Sequence, residues 1–181
     1  MINKNNIRLS ETDPKLFSVE DTNTGLLIFY IGEGKELFTG ELYEEFNGQI
    51  VSEYEVKNGR KEGIQKDYFQ SGELEEISEW RGNLKYGISK VYEEQGRLES
   101  VSTVWNNDYI KIIEVLEKKV FEKKIIKKEN LPKKIIFLLS LSDQELLDYS
   151  FNEKNEFYSE QDNNNFNGWG VVDNKYTIRD I

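Results

Sequence analysis

The chain has 181 residues, 37% hydrophobic and 32% charged, with a net charge of −10 and a pI of about 4.7. This is polar for a compact globule and ordinary for an elongated repeat protein with much surface. The acid excess speaks against direct binding of nucleic acid or anionic membrane, and the lack of Cys and His removes disulfides, thiolate metal sites and the commonest general base.

Residues 1–24 are polar and aperiodic and read as an extended lead-in, with one short edge strand near Leu16-Phe17. Residues Met1 to Arg8 show no apolar stretch of a secretory signal, and the apolar run Ile135 to Leu139 is too short to span a bilayer, so a cytoplasmic protein is expected. Leu26 to Ile31 is rich in β-branched and aromatic residues and predicts a strand. With Glu36 to Thr39 it forms a hairpin expected to cap an open edge of the next strands.

From Gly40 to Trp105 the chain repeats itself. Gly48, Gly72 and Gly96 stand 24 residues apart, each followed at the second position by Ile50, Leu74 or Leu98. Tyr68 and Tyr92 each precede their glycine by four residues, and Gly63 and Gly87 each follow the previous marker glycine by 15. Asn58-Gly59 and Gly82-Asn83 suit two-residue hairpin turns. Such a period predicts an array of small β units that buries its core by stacking neighbours. Outgoing strands are predicted at Glu41 to Phe46, Ile64 to Phe69 and Ile88 to Tyr92. Returning strands are predicted at Ile50 to Val56, Leu74 to Trp80 and Leu98 to Val104.

Alternation on the returning strands sets two faces. Ile50, Tyr54, Val56, Leu74, Trp80, Leu98 and Val104 share one, expected to pack. Glu53, Glu55, Glu75, Glu79 and Glu99 share the other, interrupted by Val51, Ile77, Val101 and Thr103, and are expected to be wet and acidic. The repeat-spaced aromatics Tyr54, Tyr68, Trp80, Tyr92 and Trp105 read as core and inter-repeat stacking, with exposed anchors for a partner as the other reading.

These residues carry a family resemblance. Leu37-Phe-Thr-Gly40, Asn58-Gly-Arg-Lys-Glu-Gly63, Tyr68-Phe-Gln-Ser-Gly72-Glu-Leu74 and Tyr92-Glu-Glu-Gln-Gly96-Arg-Leu98 resemble the MORN-repeat variant of bacterial proteins labelled YwqK-type antitoxins. The resemblance covers residues 25–105. It departs from the pattern in the first unit, one residue short and without the register Tyr, and in the third, which ends at Asn106-Asn107 without glycine. It implies a non-catalytic antitoxin or immunity protein that occludes a cognate toxin's active site. A basic toxin surface, such as a nuclease groove, would match the acidic face. Glu53, Glu55, Glu75, Glu79, Glu99, Trp80 and Trp105 are then the candidate toxin-binding residues. The alternative is a MORN-type structural scaffold for protein–protein or membrane-associated assembly.

Beyond Trp105, a degenerate fourth unit would place Tyr109 to Leu116 and Val120 to Ile126 on strands, with a turn at Lys118-Lys119. The rival is a helix from Tyr109 to Lys128, supported by Ile112, Leu116 and Val120 at a spacing of four and weakened by the β-branched load. Asn130-Leu131-Pro132 echoes Asn83-Leu84-Lys85 at two periods less one residue, and Pro132 ends either element. Ile135 to Leu139 is a short buried segment. Ser142-Asp-Gln-Glu145 has capping-box spacing and predicts a helix from Asp143 to Tyr149. Asn152 to Asn165 reads as a loop. Gly168 to Val172, a turn at Asp173-Asn174 and Lys175 to Ile178 read as a closing hairpin. The expected fold is mainly β: an elongated antiparallel sheet of stacked hairpins (25–105) with a small α+β C-terminal part (106–181).

Charge is uneven. Residues 36–104 carry 8 Lys/Arg against 15 Asp/Glu, residues 105–135 carry 9 against 5, and residues 136–181 carry 3 against 9. The basic segment is expected to match acids within the chain, or the acidic blocks to meet a basic partner. No cofactor or metal is expected. Asp162 to Gly168 lacks the alternation and the terminal Glu of a calcium loop, and adjacent carboxylates such as Glu75-Glu76 point to opposite sides of a strand.

Overall fold

The computed structural model describes residues 7–22, 25–33, 35–125, 131–151 and 172–181. It is mainly β. Strand β1 (Arg8–Ser10) starts the main sheet; β2 (Leu16–Glu20), β3 (Leu27–Ile31) and β4 (Glu36–Leu37) form a separate three-stranded sheet. The array follows as an antiparallel meander of β5 (Gly40–Phe46), β6 (Gln49–Lys57), β7 (Arg60–Tyr68), β8 (Leu74–Arg81), β9 (Leu84–Tyr92), β10 (Leu98–Trp105), β11 (Asp108–Glu114) and β12 (Lys119–Ile125). Helices α1 (Lys133–Ser140) and α2 (Asp143–Leu147) come next, and β13 (Val172–Asp180) closes the ten-stranded sheet. Among the described residues no helix is long and apolar enough to cross a membrane.

The turn chemistry explains the meander. Asn47-Gly48, Asn58-Gly59, Gly82-Asn83 and Asn106-Asn107 all have positive φ at both positions, as a two-residue turn of the I′ kind requires. Asn tolerates that region, so the third unit turns without glycine. The same Asn residues tie units together. Asn83 Oδ1 accepts from Lys61 N at 2.6 Å while Asn83 N donates to Lys61 O at 3.0 Å; Asn107 repeats both bonds with Lys85 at 2.7 and 3.1 Å.

Each unit also carries a bulge at the same place. Glu62, Gly63 and Ile64 stand opposite Glu55, and Tyr86, Gly87 and Ile88 stand opposite Glu79. Gly63 and Gly87 have φ of 99° and 103°, and a Cβ on either would run into the carboxylate of Glu55 or Glu79. In the next unit Thr103 and Lys111 take these positions, and the bulge shrinks to one extra residue, Ile110.

The packed face changes from one end of the sheet to the other. At the N-terminal end Leu42, Tyr54 and Val56 are buried with Phe29 and Phe38 around the small sheet. Further along, the opposite face is covered. Tyr86, Ile88, Val101, Trp105, Ile110, Ile113 and Val120 pack with Leu131, Ile135, Leu138 and Leu146 from the helical segment. The expectation of one packed face and one largely wet, acidic face is therefore corrected. The returning strands alone misread it, because the apolar residues that complete the second core, Ile88 and Ile113, lie on outgoing strands.

Residues 108–125 are two strands, not a helix, with Lys118 at φ 52° in the turn. The echo of the repeat at Asn130-Leu131-Pro132 does not continue the array: α1 begins at Lys133 after Pro132. A one-residue slip in the period would invert the faces of any strand there, whereas as a helix the segment buries Lys134, Ile135 and Leu138 together. The α2 capping box is present, with Ser142 Oγ accepting from Glu145 N and Glu145 accepting from Ser142 N at 2.8 Å.

The expected turn at Asp173-Asn174 is also corrected. Val172–Asp180 is one strand paired with β12, which would otherwise be an open edge, and residues 173–175 are absorbed as a bulge opposite Lys124. The loop at Asn152 to Asn165 and the stretch Gly168 to Val171 lie outside the described residues. The N-terminal hairpin packs across a row of turns instead of capping an edge. Phe29 N donates to Gly59 O, Gly59 N to Phe38 O, and Asn83 Nδ2 to Leu27 O. The edge strand β5 is paired instead by β1, in parallel.

Candidate functional site

The meander puts its longer connections, residues 69–73, 93–97 and 115–118, on the same margin as the Asn47-Gly48 turn. Glu44, Glu45, Glu73, Glu75, Glu94 and Glu99 are all exposed in or beside the Asn47-Gly48 turn and the first two of these connections. On this stretch Arg97 is held by Glu93 at 2.6 Å. The result is a row of carboxylates repeated by the array, with Glu75 and Glu99 one period apart.

The candidate residues separate by environment. Glu75 and Glu99 are exposed on this margin. Glu53 is half-buried and engaged: Tyr68 Oη donates to it at 2.5 Å, Arg8 lies at 2.9 Å and Lys66 at 3.3 Å. Partial burial pushes the Glu53 carboxyl up, but the Tyr68 hydroxyl and the Lys66 and Arg8 charges outweigh it, so it sits below the ordinary glutamate range. Glu55 is exposed over Gly63. Glu79 is 1% exposed, its Oε1 bound by Lys134 Nζ at 2.7 Å and its Oε2 by Ile88 N at 2.8 Å. It is a core residue and presents no charge to a partner. Trp105 is likewise buried in the helical core.

Trp80 belongs to a network on the other face that the returning strands only partly announced. Ser52, Gln65, Ser78, Ser89 and Ser102 are all buried there. Ser52 Oγ donates to Asp67 at 2.7 Å and Gln65 Nε2 to the same carboxylate at 2.8 Å. Ser89 Oγ and Lys85 Nζ both donate to Glu76, at 2.5 and 2.6 Å. The Lys61 ammonium lies 3.8 Å from the Tyr54 ring centre and 5.1 Å from that of Trp80, and Lys85 stands 5.8 Å from Trp80 and 6.0 Å from Tyr109. Aromatic faces are thus covered by cations of the chain itself, a stabilising arrangement. Burial lowers the Lys61 ammonium pKa, with Glu11 and Asp67 partly offsetting it. The signal for this network was the spacing of Lys61 and Lys85 on outgoing strands.

One cleft of about 210 Å³ opens on the glutamate-bearing face of the first two units. Glu53, Glu55, Ile64, Lys66, Ile77 and Phe151 line it, with Glu41 at its margin. Among the described residues no group of three or more metal-ligating side chains is placed to hold an ion. The basic segment is matched within the chain at Lys111 with Asp143, Lys123 with Asp108 and Lys134 with Glu79.

No family model matches the chain, and no curated relative matches it. Among solved structures it is similar to a mutant of S. aureus TarM in complex with fondaparinux, alpha-GlcNAc-glycerol and UDP, at 9% identity and a TM-score of 0.20. The match covers 60% of this chain and spans 21% of that one, and at this score it carries no argument about fold or activity.

Proposed function

We propose that this chain is a non-catalytic binding protein that neutralises a basic toxin by direct association, as the resemblance to YwqK-type antitoxins implies. The observation that supports it is the row of exposed carboxylates along the long-loop margin, Glu44, Glu45, Glu73, Glu75, Glu94 and Glu99. Charges repeated on a hydrogen-bonded sheet are held at fixed spacing, so a complementary partner meets them without reordering the backbone, and such complementarity speeds encounter and selects partners. A stable inhibitory interface buries on the order of 1,600 Å² in total, an area the long sheet margin can supply with flanking strands. The scaffold reading shares the same surface and differs in its partner.

The test is capture of partners by the tagged chain from the cells that make it, followed by expression of each partner alone and together with the chain. One stoichiometric basic partner that stops growth alone and is harmless in co-expression is the expected result. Several weak partners, none of them harmful, would leave the scaffold reading in its place.

A further inference from the structure

Strand β2 is an edge of the small sheet. Among the described residues it pairs with β3 alone, and Phe17, Ser18, Val19 and Glu20 are all exposed, Phe17 at 43% and Val19 at 51%. Edge strands are commonly blunted by Lys, Pro or a covering element, but Leu16-Phe-Ser-Val19 holds neither a charge nor a proline. Asp21 N donates to Leu26 O at 2.8 Å and Gly32 N to Lys15 O at 2.9 Å, so the odd-numbered residues turn their backbone groups to β3. Leu16, Ser18 and Glu20 turn theirs to the outer side, where Leu16 N donates to Asp13 O at 2.9 Å. The donors of the outer edge are then Ser18 N and Glu20 N, and its acceptors include Leu16 O and Ser18 O. Phe17 stands opposite Tyr30, Val19 opposite Ile28 and Leu37 opposite Tyr30, which makes one apolar face turned away from the core that holds Phe29.

We propose that β2 is a self-association edge, at which two copies of the chain pair β2 with β2, antiparallel, about a two-fold axis at Ser18. In that register Ser18 N donates to Ser18 O of the other copy and Glu20 N to Leu16 O, each in both directions, so every donor named above finds an acceptor. Phe17 lies directly against Val19 of the other copy, in the closer, non-hydrogen-bonded kind of pair, and the two apolar faces join. Lys15 faces Asp21 of the other copy at both ends, and Arg60 holds that carboxylate from its own chain at 3.1 Å. Moving the axis to Val19 would set Phe17 against Asp21, and moving it to Phe17 would call on Leu16 N, which Asp13 occupies. The occupant is a second copy because the edge complements itself in backbone groups, apolar side chains and charge together. So short a pairing belongs with the weak, transient contacts that bury less than about 1,200 Å². The inference does not rest on the toxin reading and uses a surface distinct from the acidic margin.

The chain has no cysteine, so cross-linking reports the register. Phe17→Cys and Val19→Cys proteins, both altered only at exposed positions, are mixed at ~0.5 mM and oxidised, and the disulfide dimers are sorted by mass. Residue 17 faces residue 19 of the other copy at about 4.5 Å between Cα atoms, within disulfide reach, whereas like positions are diagonal neighbours about 7–8 Å apart. The mixed dimer should exceed either like-with-like dimer by at least about 10-fold, since only its pair lies within that reach. Sedimentation should show wild type dimerising with concentration. Ser18→Pro removes the central donor on the side away from β3, where proline is tolerated, and should be monomeric with an unchanged urea midpoint. Glu75→Lys with Glu99→Lys should dimerise as wild type does, which separates this edge from the margin. Three results would overturn the proposal: the dimers in random proportions or with like-with-like products in excess; wild type monomeric at ~1 mM, a concentration at which any Kd tighter than about 1 mM gives substantial association; or a folded Ser18→Pro protein that dimerises as wild type does.

Discussion

Glu79 and Lys134 show how much one position in a repeat can change its meaning. Both side chains are almost fully buried, at 1% and 2% exposure, and each supplies the other's charge. Breaking such a pair from one side leaves an uncompensated buried charge, whereas removing both charges is far milder. Lys134→Met should therefore destabilise the fold by about 3–5 kcal/mol. The double variant Lys134→Met, Glu79→Gln should recover most of that, because the Gln side-chain oxygen can still accept from Ile88 N. Urea midpoints at constant slope measure both. Glu79 looked from the sequence like its neighbours one period away, an acid on a solvated strand face. The lysine that pairs with it lies 55 residues further on, and alternation within a strand carries no information about that. At the next repeat position a buried threonine, Thr103, takes the place of the acid, and its hydroxyl lacks a hydrogen-bond partner among the described residues.

The elements that local chemistry dictates were legible. The hairpin strands of 40–105 follow from paired glycine and asparagine turns, and α2 follows from Ser142 and Glu145. The elements that depend on a distant partner were not. Strand β13 crosses Asp173-Asn174, a pair that by itself reads as a turn, because β12 offers an edge to pair with. Its end is fastened by Arg179, whose Nη1 reaches Asp143 at 2.7 Å, while Lys111 Nζ lies 2.9 Å from the same carboxylate. Three elements, β11, α2 and β13, thus meet at one aspartate. The Arg179 hydrogen bond and then the Lys111 charge hold the Asp143 carboxyl below its ordinary range, outweighing the effect of burial. A depressed folded pKa means stability that is present above the unfolded value and is lost as pH falls through the folded one. Wild type should lose stability as the pH drops below about 4, the ordinary aspartate range. Asp143→Asn should be less stable at neutral pH and show a shallower loss over that acid range. Denaturation midpoints at stepped pH decide it, and parallel curves for the two proteins would contradict this role.

At the scale of the whole molecule, the switch of packed face divides the surface into regions of different use. The small N-terminal sheet covers one side of the first unit and the helices cover the other side of the later ones. Among the described residues, the margin of longer loops stays exposed. The acidic balance was legible from composition, but its address was not. Of the candidate acids, burial removes Glu79, three partners occupy Glu53, and Glu75 and Glu99 stay exposed. Of the residues read from the returning strands, Glu75 and Glu99 lie exposed on the margin and Trp105 belongs to the core. The measurement that bears most directly on the central claim is the salt dependence of affinity for the captured partner, wild type against Glu75→Lys, Glu94→Lys, Glu99→Lys. These residues are exposed, so the variant should fold as wild type does. If the acidic margin is the docking surface, wild-type affinity falls steeply with salt because the charges are screened beyond about 10 Å at 0.1 M, and the variant loses both most of the affinity and most of that slope. Equal affinity and equal slope in the two proteins would contradict the account.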